Sequence, residues 1–127
     1  MKLEVSVGEV LDKFSILEIK LKEITDENKL VNIRNEHEFI SNTIADSDIV
    51  VDETFTHYYH RLVNVNEKLW KIEDKLRVYE KAADFGDEFI QAARSVYFIN
   101  DERAAIKKEI NLYYNSDFVE EKSYEKY

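Results

Sequence analysis

The chain has 127 residues, enough for one hydrophobic core and too few for two of similar size. It holds no Pro, no Cys and only two Gly, which removes the usual turn-makers of all-β folds, disulfide staples, thiolate zinc sites and cysteine nucleophiles. With 27 acidic against 18 basic residues its net charge is −9, which repels phosphate backbones and anionic lipid, so neither nucleic acid nor membrane is expected as a partner.

Residues 1–6 read as a short extended lead-in, because Leu3 and Val5 alternate with charged or polar neighbours. Acids interrupt the apolar positions of residues 1–25, so neither a signal peptide nor a membrane span is expected there, and a cytoplasmic setting is the default. Ser6-Val7-Gly8-Glu9 predicts a helix start in which the Ser6 hydroxyl caps the Glu9 N–H and the Glu9 carboxylate reaches back to the Ser6 N–H. From there Val7, Val10, Phe14, Leu17, Leu21 and Ile24 recur at spacings of three and four, predicting a first helix over 7–25.

Thr25-Asp26 predicts a stop and restart, followed by a second helix whose inward face is Leu30, Ile33, His37, Ile40 and Ile44. Residues 45–52 collect Asp and Ser and break the period, predicting the main loop. The clearest pattern follows: Phe55, Tyr58, Leu62, Val65, Leu69, Ile72, Leu76, Tyr79 and Ala83 predict a third helix over 53–83. Asp84-Phe85-Gly86-Asp87 ends it, with Gly86 expected in the left-handed conformation. A fourth helix runs through Phe89, Ala92, Val96, Ile99, Arg103, Ile106, Ile110 and Tyr113, and so short a connection makes it the antiparallel neighbour of the third. Asn115 and Ser116 close it, and residues 116–127 read as an extended or partly disordered tail. The expected fold is all-α: one domain over 1–127, four-helix bundle-like, with two shorter N-terminal helices packed on a long antiparallel hairpin.

The first two helices are too short to cover the seam of the long hairpin. Either they lie end to end along it or a second chain covers the remainder, and the expectation is a homodimer. If the hairpin turns near residue 85, residue n of the third helix lies level with about 170 − n of the fourth. Glu67 then meets Arg103 and Trp70 meets Asn100. A polar band of Glu67, Trp70, Asp74, Arg77, Asn100, Arg103 and Lys107 results, with Arg94 as a further candidate binding residue, and it has two readings. It is a register-setting Glu67–Arg103 ion pair, or a pocket in which Arg103 and Lys107 hold an anionic group beside a Trp70 wall.

His57 and His60 stand three apart with Glu53 one turn before, but neither the di-iron bundle nor the zinc protease motif occurs, so no metal and no other cofactor is expected. Gly-rich phosphate loops and Gly-x-Ser-x-Gly elbows are also missing.

Several blocks are distinctive together: Val5-Ser6-Val7-Gly8-Glu9-Val10-Leu11-Asp12-Lys13, Ile16-Leu17-Glu18-Ile19-Lys20, Asn66-Glu67-Lys68-Leu69-Trp70-Lys71-Ile72-Glu73-Asp74, Ala93-Arg94-Ser95-Val96-Tyr97 and Asn100-Asp101-Glu102-Arg103-Ala104. With the tail Glu120-Glu121-Lys122-Ser123-Tyr124 they resemble an uncharacterised family of small bacterial and phage-type proteins, nearly end to end. The resemblance implies a whole-chain unit and no activity. The leading functional expectation is therefore a non-enzymatic helical module that self-associates or docks a protein partner. The alternative is a small all-α enzyme or anion binder, resembling chorismate mutases in architecture only, with Arg94, Arg103 and Lys107 as clamps and Glu18 or Glu67 as polar counterpart.

Overall fold

A computed structural model of the chain describes residues 1–116, 118, 121–123 and 126. It contains α1 (Val7–Glu23), α2 (Glu27–Ala45), α3 (Glu53–Lys81) and α4 (Asp87–Tyr113), and no strand among the described residues. Each of the first three helices starts where a side-chain oxygen takes over an orphan backbone donor. Ser6 accepts from the Glu9 N–H, Asp26 from those of Asn28 and Lys29, and Asp52 from that of Phe55. The expectation for the tail falls partly on residues 117, 119, 120, 124, 125 and 127, which lie outside the described ones.

The hairpin turn is made differently from the expectation. Ala83, not Gly86, takes the left-handed conformation, at φ 51°, while Gly86 has φ −73° and is the N-cap of α4. The reason is where α3 stops. It ends at Lys81, so the position that closes a Schellman motif is Ala83: its N–H bonds the Glu80 carbonyl, and the Asp84 N–H bonds that of Tyr79. Helix α4 ends in the same way. Asn115 is at φ 51° and the Ser116 N–H reaches the Asn111 carbonyl.

Helix α1 packs on all three other helices, whereas α2 packs on α1. Their interface is side by side: Phe14 stacks on His37 with ring centroids 4.6 Å apart, and His37 Nε2 lies 3.2 Å from Glu18 Oε2. The end-to-end arrangement is thereby overturned. The core joins Leu11 and Leu17 of α1, Ile40 and Ile44 of α2, Phe55, Tyr58, Leu62 and Val65 of α3, and Ile106 and Ile110 of α4. Full burial of Leu11, Leu62 and Ile110 stabilises by about 2 kcal/mol each.

This core occupies one end of the hairpin. In α3 no residue after Asn66 is buried, and in α4 Ala92 is the one buried residue before Ile106. The remaining turns project as a two-helix arm. Along it Leu69, Ile72, Leu76 and Tyr79 of α3 and Phe89, Val96 and Ile99 of α4 are only half-buried, while Val78 and Ile90 are exposed.

Candidate functional site

Where α1 crosses the hairpin, the contact is polar. Asp12, 2% exposed, is the centre. Arg103 grips its carboxylate with two nitrogens: Nε donates to Oδ1 at 2.9 Å and Nη2 to Oδ2. Asn66 of α3 donates from Nδ2 to Asp12 Oδ1 at 2.9 Å and to the Ser15 hydroxyl at 2.8 Å, and that hydroxyl donates to the Asp12 carbonyl. One carboxylate thus ties three helices together. A buried charge is tolerable only when paired and fully hydrogen-bonded, and Asp12 meets both conditions.

One turn along α4, Lys107 reaches Glu9 Oε2 at 2.6 Å and lies 4.0 Å from Asp12 Oδ2. The Glu9 carboxylate, expected to cap its own helix, is held by this lysine instead. Two other orphan donors of the first turn are met from the far end of α4. Asn111 Oδ1 accepts from the Gly8 N–H at 2.7 Å, and the Ser116 hydroxyl accepts from the Val7 N–H at 3.0 Å. Gly8 is required for this approach: a Cβ there would stand 2.6 Å from the Lys107 carbonyl oxygen and 2.8 Å from Asn111 Oδ1.

The expected Glu67–Arg103 pair does not form. Glu67 lies 3.6 Å from Lys22, in the last turn of α1, and Arg103 is on Asp12. Comparing only the two long helices leaves out the third, which lies across both and supplies a carboxylate. Of the seven residues expected in the band, the structure brings Asn100, Arg103 and Lys107 to one small recess of about 100 Å³, completed by Ala104 and Lys122. Trp70 is half-buried and does not line it; Asp74 is exposed, and Arg94 is exposed with its Nε 3.4 Å from the Tyr97 hydroxyl. Glu18, proposed as polar counterpart, sits on the α2 side against His37.

His57 and His60 border a surface recess with Val51, Asp52, Glu53 and Thr56. Among the described residues no group of three or more His, Asp or Glu is placed to hold a metal. None of the described helices is long and apolar enough to cross a membrane.

A family model described as a family of unknown function matches residues 1–127. The chain belongs to the DUF6165 family. No curated protein and no solved structure matches it. For this DUF6165 chain the polar seam of Glu9, Asp12, Ser15, Asn66, Arg103, Lys107 and Asn111 is the most highly organised side-chain cluster among the described residues. Sequence reasoning found Arg103 and Lys107 but missed Asp12, Ser15, Asn66 and Asn111. A signal was present. Gly8, Leu11 or Asp12, Ser15 and Ile19 form a second stripe on α1 at spacings of three and four, and all are buried. A helix with two inward faces lies between neighbours, so polar members of the second face meet another helix.

Proposed function

We propose that this chain is a helical self-association and docking module whose recognition surface is the arm formed by the outer turns of α3 and α4. The observation that carries this reading is the length of hairpin left without a covering helix: beyond Asn66 no α3 residue is buried, and α4 buries only Ala92 before Ile106. Helices draw most of their stability in water from packing an apolar face, and two helices sharing one seam pack little of it. Leu69, Ile72, Leu76, Tyr79, Phe89, Val96 and Ile99 stay half-buried as a result. A further helical pair laid against the arm removes that exposed apolar surface.

The polar seam supports the same assignment by what it uses up. Arg103 and Lys107, the cations best placed to clamp an anion, are matched by Asp12 and Glu9. The recess beside them, about 100 Å³, is well below the several hundred Å³ typical of pockets for small molecules. The seam holds α1 across the hairpin and leaves recognition to the arm.

Light scattering on the purified chain over a wide concentration range tests the self-association. The expected mass is twice the chain's 15.1 kDa. A mass of 15.1 kDa at every concentration overturns it.

A further inference from the structure

The α3–α4 hairpin has two broad faces, and the one turned away from α1 is divided by charge. On α3 the positions His57, Arg61, Asn64, Lys68, Lys71, Lys75, Val78 and Ala82 alternate at spacings of four and three, so they form one straight stripe. It contains four strong bases and no acid. On α4 the positions Glu88, Gln91, Ser95, Phe98, Glu102, Ala105 and Glu109 form the corresponding stripe, with three acids and no base.

Two observations place both stripes on one face. Arg61 Nη1 bonds Glu109 Oε2 at 2.9 Å across the hairpin, and a recess of about 420 Å³ is walled by Ile72 and Lys75 on one side and Asp87, Glu88, Gln91, Ala92 and Ser95 on the other. The opposite face is the one that meets α1, through Asn66, Arg103 and Asn111. Among the described residues Arg61–Glu109 is the one ion pair between the stripes; Lys68, Lys71, Lys75 and Glu102 make none.

We propose that this back face is the dimer interface, and that a second copy of the chain lies on it with its basic α3 stripe over the acidic α4 stripe of the first. The proposal rests on the self-association reading and names its surface. Charge decides the symmetry. A two-fold axis running along the hairpin sets α3 on the partner's α4, base over acid, in both halves at once; an axis across the hairpin sets α3 on α3 and brings like charges together. The Arg61–Glu109 contact shows that residue n of α3 is level with 170 − n of α4, so under the first axis Lys68 faces Glu102 of the partner subunit.

Size agrees. The stripe from 57 to 82 is about 39 Å long, and two helices are about 20 Å wide. Such a face removes roughly 1,500 Å² from the two copies together, the range of stable specific interfaces. Val78, 67% exposed, lies on it in the α3 row, next after Lys75.

Two charge-reversed full-length chains test the proposal. One carries Lys68→Glu, Lys71→Glu and Lys75→Glu, so both stripes are acidic; the other carries Glu88→Lys and Glu102→Lys, so both are basic. All five side chains are exposed, and circular dichroism of each variant checks that the helices are kept. Sedimentation should show each variant dissociating with a Kd raised by at least tenfold, and an equimolar mixture restored to a dimer of wild-type tightness. A wild-type dimer indifferent to both reversals, or variants that dissociate and stay apart when mixed, overturns this face and leaves self-association standing. A monomeric wild type removes the underlying reading as well.

Discussion

Replacing Asp12 by Ala takes away the acceptor of two Arg103 nitrogens and of the Asn66 amide, and the nearby countercharge of Lys107. The site is closed: the Asp12 side chain is 3% exposed and that of Lys107 10%. Breaking a buried ion pair by deleting one partner costs about 3–5 kcal/mol, because the other charge stays behind unpaired. The Arg103 side chain is 28% exposed and can recover some hydration, which sets the expected loss near the lower limit, about 3 kcal/mol. For a chain of this length that lowers Tm by about 10 °C. Thermal and urea unfolding followed by far-UV circular dichroism, at one fixed protein concentration, measures it. The paired change Asp12→Leu with Arg103→Met removes both charges and should cost clearly less than the two single changes added together. Sulfate should raise the Tm of Asp12→Ala more than that of the wild type, because the anion replaces part of the negative charge that Asp12 supplied beside Arg103 and Lys107. A loss below about 1 kcal/mol for Asp12→Ala, or strict additivity in the pair, refutes the claim that this carboxylate holds the three helices together.

Gly8→Ala, which in an open helix gains up to about 1 kcal/mol, should here cost about 1–3 kcal/mol, since the new Cβ meets the Lys107 carbonyl at 2.6 Å; equilibrium unfolding reads the sign directly. Ala83→Gly relieves a side chain held at φ 51° and should stabilise by roughly 0.5–1 kcal/mol in the same assay. Burial, with a smaller contribution from Glu18, pushes the Tyr59 hydroxyl well above the ordinary tyrosine value of 10.0. A pKa raised by folding contributes stability in full below the unfolded value and loses it as pH climbs past that value, so the protein should weaken from pH 10 upward. Tyr59→Phe should flatten this alkaline decline in a pH series of unfolding curves, with little loss at neutral pH, because the hydroxyl makes no well-formed hydrogen bond among the described residues.

Helices α1 and α2 were legible because each is written twice, once as an apolar period and once as a cap, whereas α4 starts without a side-chain cap. Ser6 and Asp26 announce α1 and α2 by the same kind of side-chain bond that the structure contains. Glycine was a poor guide to the turn, because the left-handed position depends on the residue at which α3 stops, and α3 stops at Lys81, two residues before the expected end. Of the polar seam, sequence reveals the cations of α4 but not their partners. Levels on a hairpin follow from one short loop, so Arg61–Glu109 obeys the 170 − n rule. The crossing of α1 follows from no loop length. Only the second buried stripe of α1, with Asp12 and Ser15 among apolar neighbours, points to it, and that stripe does not say which helix it meets.

The division of charge between body and arm has a consequence for how the molecule works. In the body, Asp12 and Glu9 offset Arg103 and Lys107 at short range, where little water screens them, so that charge is spent on holding α1. On the back of the arm, Lys68, Lys71, Lys75 and Glu102 lie exposed and unpaired with one another, where salt screens them over about 10 Å. Substitutions in the two places therefore act through different variables. Changes at Asp12 or Asn66 lower the fraction of folded chains and leave the affinity of each folded arm as it was. Changes at the lysines should leave folding almost untouched, since exposed charges contribute little to stability, and, if the back face is the interface proposed above, alter association and its salt dependence. On the proposed reading the folded body anchors the arm, and the charged rows of its back face select the second copy.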